Sequence, residues 1–252
     1  MKTRNMLMGL MLFASLSLAF TGCSKSPVVD EQLFEKSATL SSITDFPTLI
    51  SGEDAGIIQM REEEKLAHDV YMVMAEKYDL PIFANIASSE TNHYDAIGIL
   101  ISAYNLTDPS TGDAGTFTSN DIAELYQKLV DAGNVSLTEA LKTGAYIEEY
   151  DIADLEKLIA ATTNRTLLQI YGNLLRGSRN HLRSFVSTLS TYQITYTPAI
   201  LSTEAYNEII SSPMETGNGM TKGNGKGNSN RKGQQEGNQN GNNKSSGICI
   251  NR

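Results

Sequence analysis

The chain has 252 residues, 40% of them hydrophobic, with three His, two Cys, no Trp and a formal net charge of −9. Two cysteines exclude a disulfide-stapled framework, so the fold has to rest on a packed core. Residues 24–216 hold 12 basic and 28 acidic side chains while residues 217–252 hold six basic and one acidic, so the body has no basic face and nucleic acid is excluded as a partner.

Lys2 and Arg4 precede an apolar run from Met6 to Phe20. That is the layout of an export signal over residues 1–22, not of a membrane span in the mature chain. Phe20-Thr-Gly-Cys23 resembles the end of a bacterial lipoprotein signal, with Phe20 in place of the usual Leu. The resemblance implies lipidation of Cys23 and an exported protein of the cell envelope, held to the membrane by its lipid anchor. Ser24 after the cysteine favours the outer membrane or the periplasmic face. An ordinary cleaved signal is the alternative. Residues 23–51 then read as a linker.

Between residues 52 and 210 the hydrophobic period is helical, which predicts an all-α domain. The first helix runs from about Glu53 to Tyr78 and stops before Leu80-Pro81. The second follows at once, from Pro81 to about Tyr104, so the two form an antiparallel hairpin. Asn105 to Thr118 reads as a loop of Asp, Thr, Gly and Pro. A shorter helix capped by Ser119 or Asn120 runs to about Asp131 and is ended by Gly133-Asn134. Ser136 with Glu139 three residues on reads as a capping box that opens a long helix to about Ala161. The last long helix runs from Arg165 to Thr191, and a short one from Thr203 to Ile210 follows. The result is a four-helix bundle of two helical hairpins whose long crossover carries an extra short helix. Residues 211–252, dominated from Gly217 by Gly, Asn, Lys and Gln, read as a disordered tail that contains Cys249.

Every long helix carries a polar intrusion in its apolar stripe. Alternating steps of four and three put Glu64 in the stripe of the first helix and leave Glu62 and Glu63 outside it. On the second helix, Glu90 and His93 lie one turn apart within a stripe of Ile86, Ile97, Leu100 and Tyr104. Glu148 faces inward on the next long helix, with Glu149 at the margin, and His181 faces inward on the last, three residues after Ser178. His68, one turn after Glu64, lies slightly off the stripe. An uncompensated buried carboxylate costs several kcal/mol, about the scale on which a whole domain is stable. Cations, arginine partners or protons must therefore neutralise these groups. Carboxylates with imidazoles suit iron or manganese, one or two ions, with zinc also admissible. The blander readings are a dipole-favouring acid for Glu64, an Arg176 or Arg179 partner for Glu148, a hydrogen-bonded core imidazole for His181, and plain core aromatics for Tyr71 and Tyr171.

Glu64 with Tyr71, Glu90-x-x-His93, an acid on the third long helix and His181 on the fourth resemble the di-iron carboxylate pattern of the ferritin-like superfamily. Glu62-Glu-Glu-Lys-Leu-Ala-His-Asp-Val-Tyr71, Leu80-Pro-Ile-Phe-Ala-Asn-Ile86, Ile147-Glu-Glu-Tyr-Asp-Ile-Ala-Asp-Leu155 and Arg176-Gly-Ser-Arg-Asn-His-Leu-Arg183 resemble a bacterial and archaeal branch known as a domain of unknown function. The resemblance spans about Gly52 to Ile210. It implies a ferritin-like bundle with Glu64, Glu90, His93, Glu148 or Glu149, and His181 as metal ligands, and Tyr71 as a nearby electron donor or hydrogen-bond partner. It also implies a ferroxidase or peroxide-reducing activity, supplied by an external electron donor because the chain has no Cys-x-x-Cys pair. Where the superfamily pattern has a Glu three residues before the last histidine, this chain has Ser178. That leaves three carboxylates for two ions, with Glu149 or water to complete the second. The rival expectation is a non-enzymatic envelope lipoprotein whose inward acids are neutralised by Arg179, Arg183 and shared protons. A homodimer is an admissible assembly under either.

Overall fold

The computed structural model describes residues 46–216. The signal segment, Cys23, Cys249 and the tail from 217 onward lie outside the described residues. Among the described residues there are six α-helices and no strand: α1 Glu53–Tyr78, α2 Pro81–Ala103, α3 Asn120–Gly133, α4 Leu137–Ala161, α5 Arg165–Thr191 and α6 Thr203–Ser211. None of them is long and apolar enough to cross a membrane.

The helix ends follow local chemistry. α1 opens with Glu53 and Asp54 and closes with Lys77, charges that suit its two dipole ends. Asp79 takes a left-handed conformation after it, and Pro81 starts α2, where a missing N–H costs nothing. Ser119 and Ser136 cap α3 and α4 by accepting from Ile122 N and Glu139 N. Only the serine half of the expected capping box forms, because Glu139 instead accepts from Lys142 Nζ at 2.8 Å. α3 continues to Gly133 instead of ending near Asp131. There the glycine lets Met74 lie against the helix, since a Cβ would come 2.5 Å from Met74 Cε.

Four long helices pack in a ring, α1 on α2, α2 on α5, α5 on α4 and α4 on α1. Side-chain neighbours give their directions. Tyr78 meets Phe83 and Arg61 meets Tyr94, so α1 and α2 are antiparallel. Glu148 meets His181 and Asp151 meets Ser178, so α4 and α5 are too. Gln59 reaches Asp154 while Tyr71 reaches Glu148, which makes α1 and α4 antiparallel. Hence α2 and α4 run the same way, and the segment between them must travel the length of the helices. α3 lies within that segment and packs on both α1 and α4.

Each long helix is apolar at both ends and polar in the middle. One apolar cluster gathers Tyr71, Phe83, Leu141 and Phe185, and the other Ile57, Ile97, Leu155 and Leu167. Glu64, Glu90, His93, Glu148, Ser178 and His181 lie between them in sequence on every one of the four helices. The core is thus two apolar halves separated by a polar layer.

The placement of Glu62 and Glu63 outside the core stripe is corrected by the structure. Every residue from Met60 to Ala67 is buried. α1 is covered by α2 and α4 and also by α3 and the loop before it, so it has no solvent side at this level. Glu62 accepts from the backbone N–H groups of Thr118 and Ser119, at 2.5 and 3.1 Å, at the entrance to α3. Lys65 and Asp69 pair at 2.5 Å, and Asp69 also accepts from Gly115 N at 2.9 Å. The packed body extends slightly beyond 52–210: Phe46 stacks edge-on against Tyr104, and Glu215 is held by Arg179 and Arg183.

Candidate metal centre

Two triads occupy the polar layer, Glu64 with Glu90 and His93, and Glu90 with Glu148 and His181, each with its ligand-type atoms within 4.8 Å of one another. Glu90 belongs to both. Its Oε2 is 2.7 Å from His93 Nδ1 and its Oε1 is 2.8 Å from His181 Nδ1. Glu64 Oε2 is 3.3 Å from His93 Nδ1, and Glu148 Oε2 is 3.5 Å from His181 Nδ1. The two imidazoles stack with centroids 5.5 Å apart and planes at 27°. The arrangement is two half-sites, each with one imidazole and one private carboxylate, joined by a shared carboxylate.

The helices hold these groups from behind. Ser89 Oγ is 3.0 Å from His181 Nε2, which leaves that ring's Nδ1 turned to the carboxylates. The Tyr71 hydroxyl donates to Glu148 Oε1 at 2.5 Å, so the tyrosine named from the sequence lies directly behind one carboxylate. Gly177 makes room for the other imidazole, because a Cβ there would lie 2.5 Å from His93 Nε2.

Distances and directions disagree within the layer. Glu90 Oε1, His93 Nδ1 and His181 Nδ1 are buried and at ion-pairing distances, yet none has an aligned hydrogen bond; buried Glu64 Oε1 and His93 Nε2 lack one as well. In a dry interior, unaligned polar atoms carry a desolvation cost that their neighbours do not repay. Lone pairs that converge without hydrogen-bonding one another are what a cation requires, so the donor set fits a metal ion.

The electrostatics express the same tension. Burial pushes the Glu64 carboxyl well above the usual carboxylate range, and the charge of Asp151 adds to it. Burial likewise raises Glu148, with Glu90 next to it, and raises Tyr71. For His93, burial opposes the charged form, but Glu90 and Glu64 outweigh it and the imidazole is raised. His181 is pushed up to about 10 in the same way, burial being outweighed by Glu90 and Glu148. Glu90, although buried, is held below the usual range by His181 and His93. The shared carboxylate and the two imidazoles thus favour one another's charged forms.

Of the residues singled out from sequence, Glu64, Glu90, His93, Glu148 and His181 come together, and Tyr71 joins them through Glu148. Glu149 does not. Its carboxylate accepts from Tyr196 Oη at 2.5 Å and from the N–H groups of Ala199, Ile200 and Leu201 at 3.1, 2.9 and 2.8 Å. Adjacent helical residues point about 100° apart, so Glu148 and Glu149 cannot serve one point. His68 sits partly exposed, with Nδ1 2.9 Å from Asp69 Oδ1. Arg176 and Arg179 are not partners of Glu148: Arg176 donates to Asn173, and Arg179 clasps Glu215.

Sequence reasoning missed Ser89, Gly177 and Asp151. Asp151 is buried and accepts a hydrogen bond from Ser178 Oγ. Burial pushes it up to about 7, against that hydrogen bond and with Glu148 adding to the rise. Its spacing from Glu148, three residues on the same helix, was the available signal.

Fold and site together define an all-helical protein with a mid-core centre of carboxylates and imidazoles suited to a cation. The chain belongs to the family described as "Uncharacterized protein domain (DUF2202)", whose model matches residues 53–213. It is 51% identical over 166 residues to "Uncharacterized protein MJ0754" of Methanocaldococcus jannaschii, covering 66% of this chain and 90% of that one. The crystal structure of hypothetical protein MJ0754 is similar to this one with a TM-score of 0.68 and 48% identity, over 69% of this chain and all of that chain.

Proposed function

We propose that this chain is a ferritin-like protein of the cell envelope, anchored through Cys23, whose core holds one or two iron or manganese ions and acts on dioxygen or peroxide. The observation that carries the reading is the sharing of Glu90 between two carboxylate–imidazole triads. Ferritin-like di-metal proteins take one Glu from each of two helices and a Glu-x-x-His pair from each of the other two. Here Glu64 and Glu148 supply the first kind and Glu90-x-x-His93 the second, while α5 offers Ser178-x-x-His181. The parallel course of α2 and α4, with a long crossover between two hairpins, supports the same assignment of fold.

Glu64, Glu90 and His93 would hold one ion, and Glu90, Glu148 and His181 the other. A bound iron or manganese pair supplies Lewis acidity and one-electron chemistry toward oxygen species. Ser89 keeps the His181 ring in the orientation that presents Nδ1. Tyr71 holds Glu148 by one oxygen and leaves the other turned to the centre, where the phenol is also placed to pass a proton. The apolar clusters on both sides keep bulk water out. Electrons for turnover would come from an external donor.

Metal analysis of untagged protein tests the reading. About one or two iron or manganese ions per chain, lost in Glu90→Ala with His93→Ala, and consumption of oxygen or peroxide support it. Bound zinc with no such consumption would leave metal carriage without redox chemistry. The close imidazole–carboxylate pairs favour one competing reading, a metal-free envelope module with a protonated polar layer, and a folded protein that takes up neither iron nor manganese when offered them would establish it. Acylation of Cys23, read by mass spectrometry of the mature N-terminus and lost in Cys23→Ala, tests the anchor.

A further inference from the structure

The two half-sites are not equivalent, and the difference lies one turn before each histidine. α2 places Glu90 three residues before His93, whereas α5 places Ser178 three residues before His181. The space that a longer side chain would take at 178 is reached from α4. Asp151, one turn after Glu148 on that helix, accepts the Ser178 hydroxyl through Oδ2. Its other oxygen, Oδ1, is buried and has no hydrogen-bond partner. On α4 Asp151 lies between Glu148, which meets Tyr71, and Asp154, which meets Gln59, so it stands at the level of Glu64 on α1.

We propose that Asp151 is the fourth carboxylate of the centre, a metal ligand placed on α4 in the position that Ser178 leaves open on α5. The proposal rests on the metal-binding reading of the triads. Charge favours it. Glu64, Glu90 and Glu148 with neutral imidazoles bring three negative charges to the layer, whereas two divalent ions bring four positive ones. Asp151 makes the buried centre neutral, and a buried centre with net charge is costly. Geometry favours it as well: Asp151 stands outside the two triads, and its Oδ1, like Glu64 Oε1 and Glu90 Oε1 within them, is buried without a hydrogen-bond partner.

The experiment is equilibrium dialysis of the full chain against Mn(II), and against Fe(II) without oxygen, with the ions counted by elemental analysis. Wild type is compared with Asp151→Asn, with Ser178→Glu, and with the two combined. Asparagine keeps an oxygen to accept from Ser178, so the fold should survive, and thermal unfolding without metal checks this. The expected result is that Asp151→Asn binds one ion fewer, or binds one ion at least about tenfold more weakly, while its metal-free unfolding temperature is unchanged or higher. Adding Ser178→Glu should restore the lost ion by returning the carboxylate to α5. An Asp151→Asn protein that binds Mn(II) and Fe(II) like wild type would overturn the proposal and leave the triads standing. So would a metal-free protein destabilised with its metal capacity intact, which would make Asp151 only a partner for Ser178. Failure of Ser178→Glu to restore the ion in folded protein also counts against it. Wild type that binds neither ion would overturn this inference and the functional reading together.

Discussion

Glu148 and Glu149 are neighbours in the chain and both are fully buried, yet they are used in opposite ways. Glu149 is wrapped by three backbone N–H groups and a phenol, and it ties the segment from Tyr196 to Leu201 onto α4. Glu62 does the same for the entrance to α3. Glu148, Glu64 and Glu90 face one another and two imidazoles, and Glu64 and Glu90 each keep an oxygen without an aligned partner. The difference teaches how to read a buried acid: one whose lone pairs are all taken by donors is an anchor, and one left facing other ligand-type groups is a candidate site.

Substitutions can break that distinction. Glu149→Ala leaves three N–H groups and the Tyr196 hydroxyl without an acceptor in the interior, and charge-assisted hydrogen bonds are worth about 1.5 to 3 kcal/mol. Urea denaturation should show a loss of about 3 kcal/mol or more, while the protein that remains folded keeps its metal content. Loss of metal with little change in stability would place Glu149 among the ligands instead.

Gly177→Ala attacks the other class. Alanine favours a helix interior over glycine by about 0.5 to 1 kcal/mol, but its Cβ would lie 2.5 Å from His93 Nε2, and overpacking costs about 1 to 3 kcal/mol. Net destabilisation by chemical denaturation is expected, with metal affinity reduced by about tenfold. A variant more stable than wild type would show that the ring has room to shift.

Titration sharpens the comparison further. Asp151 is raised to about 7, and Glu64 and Glu63 are raised by burial, so the folded chain without metal holds protons that the unfolded chain has released. Its stability therefore falls as pH rises from about 5 through 7, by about 1.4 kcal/mol per pH unit for each proton retained. His181 adds a second decline: its contribution is complete below its ordinary value and is lost as pH rises through about 10. Below pH 5 the trend turns, because Asp69 and Glu215 are lowered, by His68 and Lys65 and by Arg179 and Arg183 against burial, and their contribution is lost on acidification. Unfolding temperatures from pH 5 to 9 in chelator should show the decline, and added Mn(II) should flatten it, since ligation displaces those protons. A flat profile in chelator would mean that the acids are not held in a dry layer.

The smallest effect is expected at the edge of the body. Glu215→Ala removes a partly exposed carboxylate from Arg179 and Arg183 and should cost about 1 kcal/mol or less. Urea denaturation reads it, and a cost above that of Glu149→Ala would contradict the ranking.

Much of this was legible in the sequence. The helices begin and end within a few residues of their predicted bounds, and Pro81, Ser119, Ser136 and Asn164 set the starts of α2, α3, α4 and α5 by local chemistry. Glu64, Glu90, His93, Glu148 and His181 were found because a polar residue in an apolar stripe is a local pattern. Glu62 and Glu63 were misplaced because the stripe argument assumes a solvent side, and α1 has none where α3 and its loop cover it. Asp151, despite its spacing from Glu148, and Gly177 were passed over because each matters through a residue on another helix, Ser178 for one and His93 for the other. Glu149 was left open because its donors lie some fifty residues away, in a segment with no period to read.

Thermal unfolding of the full chain in chelator and then in excess Mn(II) or anaerobic Fe(II) tests most directly whether cations complete the unsatisfied layer. An ion that binds only the folded state stabilises it by about 4 kcal/mol at a thousandfold excess over its dissociation constant. The expected result is a marked rise in unfolding temperature for wild type that disappears in Glu90→Ala with His93→Ala. An unfolding temperature indifferent to both metals, or an equal rise in that double variant, would contradict it.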